Sequence, residues 1–290
     1  MTLRIGDVLP KISAEIQAVK PEPEPPLPPL QGKNRPLSKR GEKVSCSNAL
    51  ARAAQGLTLI EKRVVSCCIA QINSKEEYNP DTYIASTLSA QTYADQFDLD
   101  IDTAYLELKK AAGNLLKRTL TFFELVHISG RKKPATARVH SNWVQHAKYV
   151  DKFGYIEILW TKAVGAELKG LKGRFTSYRL RNATALRSIY SWRLLELFES
   201  YKGAKYKTSS GRNWCELSVD DFATLMNATE KQRKNFNNIR RRMIEPAVKD
   251  LIEKDGWLVE WTPLKYGGRK ISGIRFEFIR DPQGRLFPPS

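Results

Sequence analysis

Histidine is scarce in this chain: His127, His140 and His146 are the only three among 290 residues. No two of them stand at the H-x-x-x-H or H-E-x-x-H spacing that would put two metal ligands on one helical face. A strand-nicking site needs a histidine pair flanking one apolar residue, and that pair is missing as well. Cysteine is nearly as sparse. Cys46, Cys67, Cys68 and Cys215 contain no C-x-x-C pair, and adjacent cysteines rarely bridge each other, so all four read as reduced thiols of a cytosolic protein. No G-x-S-x-G occurs. Gly165 to Gly170 has the glycine spacing of a phosphate loop, yet Leu171 stands where the lysine is required. These absences argue against nucleotide hydrolysis, strand cleavage and any bound metal or cofactor, and the chain reads as a non-enzyme. No apolar run approaches the eighteen residues of a spanning helix, and the N-terminus lacks the order of a signal peptide, which argues against a membrane.

What the chain has is positive charge. Forty-eight Lys and Arg against 31 Asp and Glu give a formal charge of +17, a field that attracts polyanions. The charge is densest from Lys231 to Arg242, where six cations and three asparagines stand together without one carboxylate. Phe236, Ile239, Met243, Ala247 and Leu251 recur at helical spacing through and beyond that stretch. The result is a helix with one buried stripe and an Arg/Asn opposite face. Arginine can fork onto guanine O6 and N7, and asparagine onto adenine N6 and N7. A solvated basic helix on a stable domain would show the same pattern.

The order of elements decides between these readings. Residues 1 to 44 carry PEPEPPLPPL (Pro21 to Leu30) and polar flanks, a composition that cannot bury a core and predicts a disordered Pro-rich tail. Thr58 and Glu61 form a T-x-x-E capping box before an apolar helical run. Ser89 caps a short helix through Phe97, and Ile101 to Leu116 makes a longer one. Strand-like runs follow near 119–127, 136–147 and 153–160, the first two joined by the basic turn Gly130 to Pro134. A helix over Ala183 to Tyr201 opens a second series. Ser218 caps a short helix through Leu225, a basic helix starts near Asn235, and strands Trp257–Leu264 and Lys270–Ile279 close it. Leu88-Ser89 and Tyr93-Ala94 match Leu217-Ser218 and Phe222-Ala223 at an offset of 129, and Tyr105, Leu108, Lys109 and Lys110 match Phe236, Ile239, Arg240 and Arg241 at 131. The fold class expected is α+β: two tandem winged-helix domains, over 45–165 and 166–290.

With that layout the chain resembles the iteron-binding plasmid replication initiator (Rep) proteins. The resemblance rests on NALARAAQGLTLIEKRVV (Asn48 to Val65), AYLELKKAAGNLLKR (Ala104 to Arg118) and LKGRFTSYRLRNATALRSIYSWRLLELF (Leu171 to Phe198). LSVDDFATLMN (Leu217 to Asn227), RRRMIEPAVKDLI (Arg240 to Ile252) and GRKISGIRFEF (Gly268 to Phe278) complete it. It spans roughly residues 45 to 280; the Pro-rich tail is outside the shared pattern. It implies a cytoplasmic bacterial protein that binds direct repeats in double-stranded origin DNA as a monomer and promotes opening of adjacent A·T-rich DNA. It implies recruitment of the host initiator and replicative helicase. It also implies a homodimer in equilibrium with the monomer, which represses its own gene through an inverted repeat. By the same resemblance the N-terminal domain carries the dimer interface and backbone contacts, and the C-terminal domain is the main reader. A winged-helix transcriptional regulator without a replication role would use the same groove-reading chemistry.

The expected DNA-binding residues follow from charge and position. Asn235, Asn237, Asn238, Arg241 and Arg242 are placed to meet base edges or adjacent phosphates. Arg240, nearer the apolar stripe, suits a phosphate, as do Lys231, Arg233 and Lys234 at the positive end of the helix. Lys265, Arg269 and Lys270 flank the C-terminal wing, and Arg131, Lys132 and Lys133 the N-terminal one. Pro246 lacks its N–H and is expected to bend the helix. In the linker helix, Tyr190, Leu194, Glu196 and Leu197 read as core, with Arg193 the exception.

Overall fold

The computed structural model describes Leu37 and residues 42–281 except Lys132 and Arg174. The tail expected up to residue 44 therefore lies outside the described residues as far as residue 41, Leu37 aside, and β1 (Lys43–Ser47) begins just after it. The chain continues with α1 (Asn48–Arg52), β2 (Ala54–Gln55), α2 (Leu59–Ala70), β3 (Ala85–Ser89), α3 (Ala90–Phe97) and α4 (Ile101–Leu115). Next come β4 (Thr119–Val126), β5 (Ala135–Asn142), β6 (Val144–Val150), β7 (Tyr155–Trp160), α5 (Lys162–Ala166) and β8 (Phe175–Arg179).

Local chemistry sets the helix starts. The Thr58 hydroxyl accepts from the Glu61 N–H while the Glu61 carboxylate accepts from the Thr58 N–H at 2.8 Å, so the capping box closes in both directions. Ser89 caps α3 and Asp100 caps α4, each accepting from the backbone N–H three residues on. Between the two helices Asp98 adopts the left-handed conformation, φ 52°, which ends α3 and turns the chain into α4.

The second series repeats this plan. After α6 (Leu180–Thr184) and α7 (Ile189–Ser200) come β9 (Asn213–Ser218), α8 (Val219–Leu225), α9 (Glu230–Arg233) and α10 (Phe236–Ile239). A π-helical turn, Arg240–Ile244, leads into α11 (Glu245–Asp255), and β10 (Trp257–Leu264) and β11 (Gly273–Arg280) close the unit. Ser218 caps α8 as Ser89 caps α3. Asn227 takes the left-handed conformation at φ 50°, 129 residues after Asp98, the same offset that separates the two serine caps. Sheet order repeats too: β3-β7-β6 in the first unit and β10-β11-β9 in the second, so in each the entry strand pairs with the last strand. Tandem winged helices are thus the architecture.

Three features depart from the sequence reading. The run 136–147 is two strands, broken at Trp143, which is fully buried edge-on to Trp160. The N-terminal wing is therefore the hairpin β6–β7. The hairpin β4–β5, whose tip carries Arg131 and Lys133, pairs with β2 in a separate sheet and is an insertion between helix and wing. The expected helix 183–201 is interrupted at residues 185–188, where Ser188 starts α7 by accepting from the Tyr190 N–H. Strand β8 returns to pair antiparallel with β1 across the expected boundary at residue 165.

Helix α7 joins the two units and is buried from Ser191 to Ser200. Its Phe198 stacks on Phe278 with centroids 4.1 Å apart, in the second unit's core. Its opposite side enters the first unit through charge. Glu196, 1 % exposed, accepts from Lys62 of α2 at 2.5 Å, from Arg193 at 2.5 Å and from the Tyr178 hydroxyl at 3.1 Å. Arg193 also donates to the Ala53 carbonyl at 2.6 Å, and Lys62 to Gln55. Arg193, expected as the exception in its helix, is as deeply buried as its neighbours. Burial lowers the Lys62 ammonium from its usual range despite the Glu196 carboxylate beside it. Cys46, Cys67, Cys68 and Cys215 are free and buried, and burial pushes the Cys46 thiol up to about 12.

Candidate nucleic-acid interface

The second unit's basic helical segment is built one cap at a time. Thr229 and Gln232 form a capping box that starts α9. Asn235 then accepts from the Asn238 N–H at 2.9 Å to start α10. Phe236 leans on Trp261 of the wing, and Ile239 and Met243 are fully buried, which fixes the helix's rotation about its axis. The outward side is left to Lys231, Lys234, Asn237, Arg240, Arg241 and Arg242, all exposed.

The three arginines that face out stand in and beside the π turn. In α4 the buried residues Leu108 and Ala111 enclose two exposed lysines, Lys109 and Lys110. In the second unit Ile239 and Met243 enclose three exposed arginines. This turn is one residue wider than an α turn, closed by the Glu245 N–H donating to the Arg240 carbonyl five residues back. Pro246 follows immediately. It lacks an N–H and would press its ring on the carbonyl four residues back in a regular helix, and it stands in the first turn of α11, just after the π turn.

The wing supplies the rest of the site. Gly267 and Gly268 adopt φ of 73° and 123°, a region that disfavours side chains, and make the tight loop tip. Tyr266 donates its phenol to the Glu216 carboxylate, a bond that also raises the phenol's pKa. Its ring lies over Gly273, where a Cβ would come within 2.6 Å. Lys265, Arg269 and Lys270 are exposed along this loop. A groove of about 570 Å³ runs between α8, the α9–α10 corner and the wing, lined among others by Lys234, Asn235, Arg269 and Lys270. Cations far apart in sequence thus border one groove.

Not every expected residue is equally available. Arg233 donates to Asp220 at 3.0 Å, Thr224 at 3.1 Å and the Ala228 carbonyl at 2.9 Å, and so clamps α9 to α8. Arg240 pairs with Glu245 at 3.3 Å. Asn235 and Asn238 are engaged in the cap, with the Asn238 amide reaching the Lys231 carbonyl at 3.5 Å. Lys231, Lys234, Arg241, Arg242, Lys265, Arg269 and Lys270 form no ion pair among the described residues. In the first unit Arg131 and Lys133 are exposed on the inserted hairpin, which is not part of the β3-β7-β6 sheet, and Lys132 lies outside the described residues. The cations of the true N-terminal wing are Lys148 and Lys152, which the sequence reading passed over. The repeat pointed to them, since in each copy the wing is the final hairpin.

Known proteins share this layout. The Pi initiator protein, solved in complex with iteron DNA, superposes with a TM-score of 0.65 over 85 % of this chain and all of that one, at 22 % identity, which speaks for the fold alone. The PI protein of Escherichia coli is 25 % identical over 260 residues, 82 % of this chain and 83 % of its own. A Replication initiation protein of Escherichia coli is 24 % identical over 205 residues, 71 % of this chain and 60 % of its own. The first winged-helix (WH1) model of the Initiator Replication protein family matches residues 43–199 and the second (WH2) model, Initiator Rep protein, residues 218–278. Since the first match alone covers more than half of the residues, the chain belongs to the Initiator Replication protein family.

Proposed function

We propose that this protein starts replication of a plasmid by binding direct repeats in duplex origin DNA. The observation that carries the reading is the convergence of the α9–α10 corner and the C-terminal wing on one groove bordered by Lys234, Arg269 and Lys270, which form no ion pair among the described residues. Phosphates would be met by Lys231, Lys234, Lys265, Arg269 and Lys270, and base edges by Asn237, Arg241 and Arg242. Arg233 acts through the α8–α9 corner it clamps. In this reading the bound protein promotes opening of adjacent A·T-rich DNA and recruits the host initiator and replicative helicase without catalysis of its own. As a dimer, held through its N-terminal unit, it represses its own gene at an inverted repeat. Family membership supports these steps.

The test is binding of the full chain to duplexes carrying the direct repeats beside its own gene, against scrambled duplexes, over a salt series. The repeats are expected to be preferred, with repeat units about two helical turns long, as two domains one turn apart require. Lys265→Ala is expected to weaken both DNAs alike and to flatten the slope of log K against log salt by about one unit. Equal affinity of the unmodified chain for repeats and scrambled DNA would overturn the reading.

A further inference from the structure

The N-terminal copy presents different chemistry at the same position. Along α4, Asp102, Leu106, Lys109, Lys110 and Gly113 line the outward side, with Lys117 exposed just past its end, while Ala104, Leu108, Ala111, Ala112 and Leu115 are buried. Leu106, 70 % exposed, stands where the second copy carries Asn237. Single exposed leucines are common on protein surfaces, so exposure alone decides nothing. Its surroundings do.

Three further observations bear on this face. Glu107 is withdrawn from it: its carboxylate accepts from the buried Tyr93 hydroxyl at 2.5 Å and lies 4.0 Å from Arg63. The N-terminal wing is fastened to the helix. Lys109 pairs with Asp151 at 2.6 Å, and the Tyr105 ring occupies the space a Cβ on Gly154 would need, within 1.8 Å. Finally, Gly113 sits two turns after Leu106, in the last turn of the helix, exposed, with nothing among the described residues within 4 Å of where its Cβ would be. A glycine favours a helix less than alanine does, and no neighbour among the described residues requires one here. It leaves room for something outside the fold to approach the helix closely, between Lys110 and Lys117.

We propose that α4 reads its half of each repeat by apolar contact, with Leu106 against the C5-methyl group of a thymine in the major groove. Only thymine offers a methyl on that edge, and an aliphatic side chain can discriminate by nothing else. Gly113 lets the sugar-phosphate strand pass close, and the exposed Lys110 of α4, Lys117 just past it, and Lys148 and Lys152 of the wing add charge of the right sign. The two copies then read by different means: the second by hydrogen bonds, the first by a methyl group. This inference rests on the reading of the chain as a binder of duplex repeats.

The test starts from a duplex selected with the full chain from a random pool, so that no repeat sequence is assumed. Each thymine is then replaced singly by deoxyuridine, which removes the methyl and keeps every hydrogen-bonding group. One or two positions, about a helical turn from those sensitive to Arg241→Ala, are expected to lose roughly three- to fourfold in affinity, the worth of one buried carbon. Leu106→Ala, at an exposed site and with unchanged melting temperature, is expected to abolish that difference while binding uracil and thymine duplexes equally. Gly113→Ala is expected to raise the melting temperature yet weaken binding. If Arg241→Ala relaxes the preference for the selected duplex but no uracil position separates the unmodified chain from Leu106→Ala, the methyl contact is overturned and the DNA-binding reading stands. If selection enriches no duplex, both fall.

Discussion

Glu196→Gln is expected to lower stability by about 3–5 kcal/mol, the cost of breaking a buried ion pair by removing one partner. For a protein of this size that is a fall in melting temperature of roughly 6–20 °C. The reason is local. Lys62 and Arg193 are each 1 % exposed and share the one carboxylate, Oε1 facing the ammonium and Oε2 the guanidinium. Glutamine keeps the shape and one acceptor but turns an amide N–H₂ towards a donor and leaves two buried cations uncompensated. Burial already lowers the Lys62 pKa with the carboxylate present, and without it the ammonium is held still less well. The folded variant therefore binds fewer protons than the unfolded chain in the interval between the lowered Lys62 pKa and the ordinary lysine range. Its stability rises with pH through that interval. Thermal unfolding of both proteins over a pH series measures this directly, and Lys62→Met in the Glu196→Gln background is expected to restore part of the loss. A change below about 1 kcal/mol would mean that water reaches the cluster and that it does not tie α7 to the first unit.

Arg241→Ala and Arg242→Ala are expected to cost about 1–3 kcal/mol each on repeat DNA, roughly 5- to 150-fold in affinity, with much smaller losses on scrambled DNA. Both guanidiniums are exposed on the π turn and form no ion pair among the described residues, so nothing in the fold competes for their donors. Arg240 is held at 3.3 Å by Glu245 and is expected to lose less on replacement. Arg233→Ala should act differently, lowering the melting temperature because three bonds of the α8–α9 corner go with it. Fluorescence anisotropy on repeat and scrambled duplexes at two salt concentrations separates these cases. Equal loss on both DNAs for Arg241→Ala and Arg242→Ala would remove them from base reading and leave them as phosphate contacts.

The contrast between what the residues announced and what they concealed has a physical cause. Ser89, Thr58 with Glu61, and Ser218 act on N–H groups three residues away, so their helices could be read directly from short windows. The exposure of Lys231, Lys234, Arg241 and Arg242 was legible for the same reason, because they flank a buried stripe at fixed spacing, whereas Arg240, expected nearer that stripe, is exposed as well. Arg193 was not. A charge suggests solvent until Glu196, Lys62 and the Ala53 carbonyl are assembled around it, and the last of these is 140 residues away. The clamp on Arg233 depends likewise on Asp220, one helix earlier. Strand partners are hardest: nothing in residues 43–47 points to 175–179, and nothing in β4–β5 alone says that it is an insertion while β6–β7 is the wing.

The π turn also sets how this helix tolerates change in length. Removing one residue from a regular helix swings everything beyond it by about 100° about the axis, which would drag Met243, Ile244 and Ala247 out of the core. Here one residue is already in surplus, and its loss would close a wide turn into an ordinary one with the apolar phase intact on both sides. Loss of a single codon among the three arginines is therefore expected to change the exposed charge of this helix and not its folding, so point substitution is not the only route by which this basic surface can vary.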